Sequence, residues 1–228
     1  LTRLVGSEMC IRDSKQSTGQ PVAILHDECY LTDVRTAVAG AVAAKYLSPS
    51  NVKTIGIVGT GVQARLQLRY LKDIVNCRNV IVWGRNQKAL LRYEKEMSMY
   101  EYQITTTTNM SDIVEHCQLI VTCTPSERSL INAVRPGTHI TAVGSDTVSK
   151  RELSSDVMLQ ADMIVTDSKD QSRIRGEIYQ VLKDGNSLDG ITELGQIISG
   201  KIEGRVSQEH ITIADLTGVA VQDIQISK

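Results

Sequence analysis

Three groups of residues in this chain of 228 have types and spacings that could do chemistry. The first is Gly59, Thr60, Gly61, Val62, Gln63 and Ala64, a G-x-G-x-x-A pattern. Gly59 permits a tight turn, Gly61 lets the backbone approach a pyrophosphate, and Ala64 is small enough for a helix to pack on a strand. Thr60, Val62 and Gln63 complete the turn, and a following helix would offer free N–H groups and its positive dipole end to the phosphates. The cofactor implied is NAD(P). Arg85 bears on which form. An acidic residue about 20 to 25 residues past the first glycine would bond the ribose 2′-OH, whereas arginine accepts a 2′-phosphate. No carboxylate lies in 83–86, so the reading leans to NADP(H). The second group is Thr122 and Thr124, flanking Cys123 at the end of a later strand; they touch the nicotinamide ribose or simply close a capped loop. The third is Asp146, with Lys150 four residues on. A carboxylate leaving a strand there can act as a base, bind a substrate ammonium, or cap the helix that follows.

Such groups need a scaffold that brings them to one edge. Ile55, Ile57 and Val58 read as a short buried strand, and Leu66, Leu71, Ile74 and Val75 are spaced for one apolar helix face. Further strands are predicted at 79–83, 102–106, 119–123, 139–143 and 163–166, alternating with helices at 87–100, 112–116 and 150–159. Residues 173–183 and 191–199 also read as helices. That alternation predicts an α/β fold, a Rossmann-type parallel sheet with helices on both faces. Upstream, 18–24 reads as a turn into a strand. Residues 31–47 read as an alanine-rich helix, with Thr32 as N-cap and Ala37, Gly40, Ala41 and Ala44 admitting a close neighbour. Near the end, 211–213 reads as a strand and 215–219 as a turn into a last helix. The expected division is a dinucleotide-binding domain over 49–204, with 15–48 and 205–228 forming part of a smaller α+β unit. Residues 1–14 fit no neighbouring element, do not look native to the rest, and are expected to be disordered or poorly packed.

Composition excludes several classes. Lys plus Arg total 25 against 26 for Asp plus Glu, a net charge of −1, which argues against a nucleic-acid or membrane-surface binder. No apolar run approaches the roughly 20 residues that cross a bilayer. The five cysteines (Cys10, Cys29, Cys77, Cys117, Cys123) include no C-x-x-C pair and read as reduced thiols of a cytoplasmic protein. The four histidines are scattered, without metal-like spacing, so no bound metal is expected.

Several stretches are similar to the ornithine cyclodeaminase/μ-crystallin family: 18–23 (TGQPVA), 31–36 (LTDVRT), 59–65 (GTGVQAR), 144–153 (GSDTVSKREL), 193–195 (ELG) and 215–218 (DLTG). They keep the family's order from residue 15 onward. VWGR at 82–85 with DLTGVAVQD at 215–223 most resembles the ectoine-utilisation cyclodeaminase-like branch. The resemblance implies a Rossmann domain plus a smaller substrate and dimerisation unit, hence a homodimer when full length. It implies that Arg35 binds the substrate carboxylate, both of whose oxygens a guanidinium fork can hold. Alone on a helix, Arg35 would read as a surface ion pair. Asp146 matches the catalytic aspartate and Lys150 a substrate-site lysine. The implied partner is a small amino acid or a cyclic imine. Hydride leaves the amino-acid Cα for nicotinamide, giving an imine. Asp146 takes a proton from the side-chain amine that attacks the imine carbon, ammonia departs and the hydride returns. A reductase stops earlier, its cyclic imine taking hydride from NAD(P)H. The family carries a longer stretch before the dinucleotide domain, so an incomplete substrate pocket and dimer sheet are expected here.

The leading expectation is therefore a nicotinamide-dependent enzyme, an ammonia-releasing lyase or an imine reductase. The alternatives are a non-catalytic NADP(H)-binding protein of the μ-crystallin type and an inactive fragment. Asp146 and Lys150 together favour the enzyme, since a pure binder has no need of the pair.

Overall fold

A strand covered on both faces meets no water along its length, and four such strands lie at the middle of this molecule. The computed structural model describes residues 10–227. Its chain opens with an antiparallel hairpin of β1 (Cys10–Ser14) and β2 (Pro21–His26), Cys10 opposite His26. Disorder or poor packing was expected for 1–14. Residues 10–14 instead pair along β2, and 1–9 lie outside the described residues. Helix α1 (Tyr30–Leu47) begins ahead of the expected Thr32 cap. Cys29, at φ 72, takes the cap position, and the Asp27 carboxylate accepts the Leu31 amide at 2.6 Å.

The chain then alternates: β3 (Ile55–Val58), α2 (Val62–Leu71), β4 (Asn79–Trp83), α3 (Gln87–Met97), β5 (Gln103–Thr107), α4 (Met110–His116) and β6 (Leu119–Thr122). It continues through β7 (His139–Ala142), α5 (Ser155–Leu159), β8 (Met163–Thr166), α6 (Lys169–Ser172) and α7 (Glu177–Lys183). The last elements are β9 (Thr192–Glu193), α8 (Leu194–Ile198), β10 (Thr212–Asp215) and α9 (Ala220–Ile226). Strands β3 to β10 form one eight-stranded sheet in the order β5-β4-β3-β6-β7-β10-β8-β9, with every pairing parallel. β3, β6, β7 and β10 are buried along their whole length. One face is covered through Leu47, Leu68, Leu90 and Tyr93 of α1 to α3. The other is covered through Ile113, Val157 and Ile178 of α4, α5 and α7.

Two expectations change. Residues 205–228 were assigned to the smaller unit, yet β10 lies between β7 and β8, because its apolar residues complete the core of the sheet. The helix expected over 150–159 begins only at Ser155, capped by the Ser154 hydroxyl. The preceding residues spend their amides elsewhere: Glu152 and Leu153 on the Glu177 carboxylate, Ser154 on the Ile131 carbonyl. Among the described residues, no helix is long and apolar enough to cross a membrane, and Cys77, Cys117 and Cys123 are free thiols.

Candidate active site

The chain runs outward from β3 through β4 to β5, then returns to lay β6 on the other side of β3. Ligands of such sheets bind beyond the carboxyl ends of the strands where the order reverses. Register aligns Trp83, Val58, Thr122, Ala142, Asp215 and Thr166 in one row, so the loops leaving this row share an edge.

Gly59 leaves β3 at φ +130, and a Cβ there would lie 3.0 Å from the Cys123 carbonyl oxygen. Only glycine passes so close to the end of β6 in that conformation. At Gly61 a Cβ would meet nothing within 4 Å, and no side chain caps α2. An uncapped helix start beside open space suits a pyrophosphate in shape and polarity. Thr60 is half-buried and Val62 exposed. Gln63 turns away from the open side, its amide nitrogen donating to the Asp33 carbonyl at 3.1 Å and carboxylate at 2.9 Å. Arg85 is exposed beyond β4. Thr122 is fully buried beneath the edge and Thr124 half-buried on it.

Asp146 is exposed on the loop after β7, and Lys150 donates to its carboxylate at 2.7 Å. It caps no helix. Arg35 meets the loop that follows Asp215, the β10 member of that row. Its Nε donates to Asp223 of α9 at 2.9 Å, and a Cβ on Gly218 would come within 2.6 Å of its Nη1. The guanidinium thus makes the ion pair that the residue alone would predict. The structure brings the glycine turn, Thr122, Thr124, Asp146 and Lys150 to one edge, and joins Arg35 to α9.

The sequence profile of the ornithine cyclodeaminase/mu-crystallin family matches residues 9–228. The chain belongs to that family. An uncharacterised cyclodeaminase of Sinorhizobium fredii is 41% identical over 215 residues, covering 92% of this chain. The chain spans 65% of that relative's length. An archaeal alanine dehydrogenase dimer with bound NAD superposes with a TM-score of 0.86 at 32% identity, covering 94% of this chain and 67% of that one. The Thermococcus litoralis Δ1-pyrroline-2-carboxylate reductase, in complex with NADH and L-proline, superposes with a TM-score of 0.86 at 29% identity. It covers 96% of this chain and 69% of its own.

Three buried acids lie behind the Asp146 loop. Glu152 is fully buried and accepts the Thr124 amide at 2.6 Å and the Gly144 amide at 3.0 Å. Burial, and next the charge of Glu177, push its carboxyl up to about 7. Glu177, also fully buried, accepts the Ser145 hydroxyl and the amides of Glu152 at 2.7 Å and Leu153 at 3.1 Å. Asp215 accepts the Ile178 amide at 2.9 Å, and burial followed by Glu177 raises its carboxyl well above the usual range. Sequence reasoning gave none of the three a role. An acid directly after the apolar run 211–214 was a signal for Asp215, and Glu152 lies inside the family-like stretch 144–153. Glu177 carries no local signal. Arg65 was also passed over; it braces the glycine turn by donating to the Thr60 carbonyl at 2.6 Å and the Gly61 carbonyl at 2.7 Å. Among the described residues, no group of three His, Cys, Asp or Glu side chains could hold a metal ion.

Proposed function

We propose that this chain carries the coenzyme site and proton-handling residues of a nicotinamide-dependent enzyme acting at the Cα of a small amino acid or cyclic imine. The reaction is cyclodeamination with ammonia release, or imine reduction. One observation supports this above the others: the paired Asp146 and Lys150 leave the same sheet edge as the open Gly61 turn. Gly59, Thr60, Gly61 and Val62 would hold the pyrophosphate, with Gln63 tying the turn to α1, and Thr124 would border the ribose with the buried Thr122 beneath it. The exposed Arg85 favours NADP(H) through its fit to a 2′-phosphate. When bound, the nicotinamide supplies the hydride acceptor and donor. The chain's own part is positioning and proton transfer. Asp146 takes the proton of the attacking amine, Lys150 orients Asp146, and Arg35 exchanges Asp223 for the substrate carboxylate. A pair of copies, as in the alanine dehydrogenase dimer, belongs to the same proposal, with the exposed Val22 and Ile24 of β2 as apolar contact surface.

A second reading, a non-catalytic NADP(H) binder, draws on the pairing of Arg35 with Asp223. One experiment separates the two. NADH and NADPH are titrated by fluorescence, and ornithine, diaminobutyrate and pyrroline-2-carboxylate are offered as substrates. Ammonia release without net coenzyme reduction identifies a cyclodeaminase, and NADPH consumption a reductase. Tight NADPH binding with no turnover supports the binder. Asp146→Asn should abolish turnover and leave coenzyme affinity within about twofold; a fully active variant removes Asp146 from the reaction.

A further inference from the structure

The loop that carries Asp146 and Lys150 is gripped from behind by the first turn of α7. The Glu177 carboxylate accepts the Ser145 hydroxyl on one limb of the loop. On the other limb it accepts the Glu152 amide at 2.7 Å and the Leu153 amide at 3.1 Å. Three residues along the helix, the Gln180 side-chain amide donates to the carbonyls of Val148 and Lys150, both at 3.0 Å. The points of attachment fall at 145, 148, 150, 152 and 153, on both sides of Asp146. All three groups hydrogen-bonded to Glu177 are donors. A carboxylate can accept them all, while a glutamine would turn an NH2 toward an N–H and leave one unsatisfied. Asp215, at the end of β10, accepts the Ile178 amide and so fixes the turn from which Glu177 projects.

We propose that Glu177 is the positioning residue for Asp146: it touches no reacting atom, but holds the two limbs of the loop so that the Asp146 carboxylate stands at the carboxyl edge of the sheet. This rests on the role given to Asp146 above. Gln180 assists from the same helix face by holding the crest of the loop. Rigid support of this kind sets how well a catalytic group is aimed, and a small misplacement costs far more in turnover than in ligand affinity.

The test compares the 228-residue chain with Glu177→Gln and Gln180→Ala, using amide hydrogen exchange, coenzyme titration and single-turnover hydride transfer. Glu177→Gln should speed exchange across 144–150 at least tenfold, leave β3 and α2 unchanged, and keep coenzyme affinity within twofold. Turnover should drop at least thirtyfold with the substrate KM changed much less than kcat. Gln180→Ala should move the same quantities in the same direction by a smaller factor, and serves if Glu177→Gln fails to fold. Unchanged loop exchange in the folded variants overturns the proposal, as does a loosened loop with wild-type turnover. If the wild-type chain turns nothing over while the loop responds as stated, the reaction proposed above fails and the clamp stands.

Discussion

Gly59 and Gly61 answer to different constraints although only Thr60 separates them. Gly59 is fixed by the chain itself, through φ +130 and the Cys123 carbonyl 3.0 Å from its missing Cβ. Gly61 is free of the chain: its φ is −81, and nothing lies within 4 Å of a Cβ. Gly61→Val should therefore fold with a loss below about 1 kcal/mol, the difference between glycine and valine at a helix cap. Its coenzyme affinity should fall at least tenfold, because the added methyls occupy the space a pyrophosphate needs. Thermal melts and fluorescence titration read the two effects separately, and unchanged affinity would remove the turn from the coenzyme site. This part of the site was legible in sequence because each glycine serves the backbone of its own turn. Asp146 was legible because a strand end fixes where it emerges. Glu177 was not, since it lies 32 positions along the chain from Ser145 and only folding reveals the contact.

At the scale of elements, α1 and α2 cross where Gly40 meets Gln67. The small residues of α1 were expected to admit a close neighbour, and the neighbour proves to be a buried glutamine side chain. Gln67 donates to the Thr36 carbonyl at 3.1 Å, and a Cβ on Gly40 would come within 2.1 Å of its Oε1. The apolar spacing seen in sequence missed this face. Gln67, Leu68 and Leu71 are buried, while Ile74 is 36% exposed beyond the end of the helix. Periodicity counts apolar residues, and here an amide that satisfies a helix carbonyl fills an apolar position. Alanine in place of glycine gains about 1 kcal/mol of helix propensity, whereas overpacking costs about 1–3 kcal/mol. Gly40→Ala should thus lose roughly 1 kcal/mol in the wild-type background and gain up to about 1 kcal/mol in a Gln67→Ala background. Equal effects in both, by urea denaturation, would show that the two side chains do not compete for the space. Since α1 carries Arg35 and α2 follows the glycine turn, this contact sets the distance between the two.

At the scale of the molecule, the sheet is stitched together at the edge opposite the site. Arg205 donates to the Leu47 carbonyl at the end of α1 (2.6 Å), the Thr138 carbonyl before β7 (3.0 Å), the His210 carbonyl (2.6 Å) and the Thr212 hydroxyl of β10 (3.0 Å). His139 is buried beside it, Nδ1 2.9 Å from the Thr212 hydroxyl and Nε2 2.9 Å from the Thr141 hydroxyl. Burial, and next the Arg205 charge, push its pKa down to about 3. An unfolded chain binds that proton near pH 6.5. The folded value is the depressed one, so the contribution of neutral His139 is complete above pH 6.5 and is lost as the pH falls toward 3. The slope is about 1.4 kcal/mol per pH unit, or roughly 2 kcal/mol between pH 7 and pH 5. Glu152 acts in the opposite sense over part of this range. Its folded value is raised to about 7, so its contribution is present at low pH and lost as the pH rises. A pH series on the wild type alone would blend the two. The difference in unfolding free energy between wild type and His139→Asn isolates the histidine, and that difference should shrink by roughly 2 kcal/mol from pH 7 to pH 5. At any one pH the folded His139→Asn variant should bind coenzyme as the wild type does, because the ring lies at the amino end of β7 and the site at its carboxyl end. A difference that stays flat with pH would mean that the folded chain accepts a charged imidazole at that position, and the stitching at this edge would then need another account.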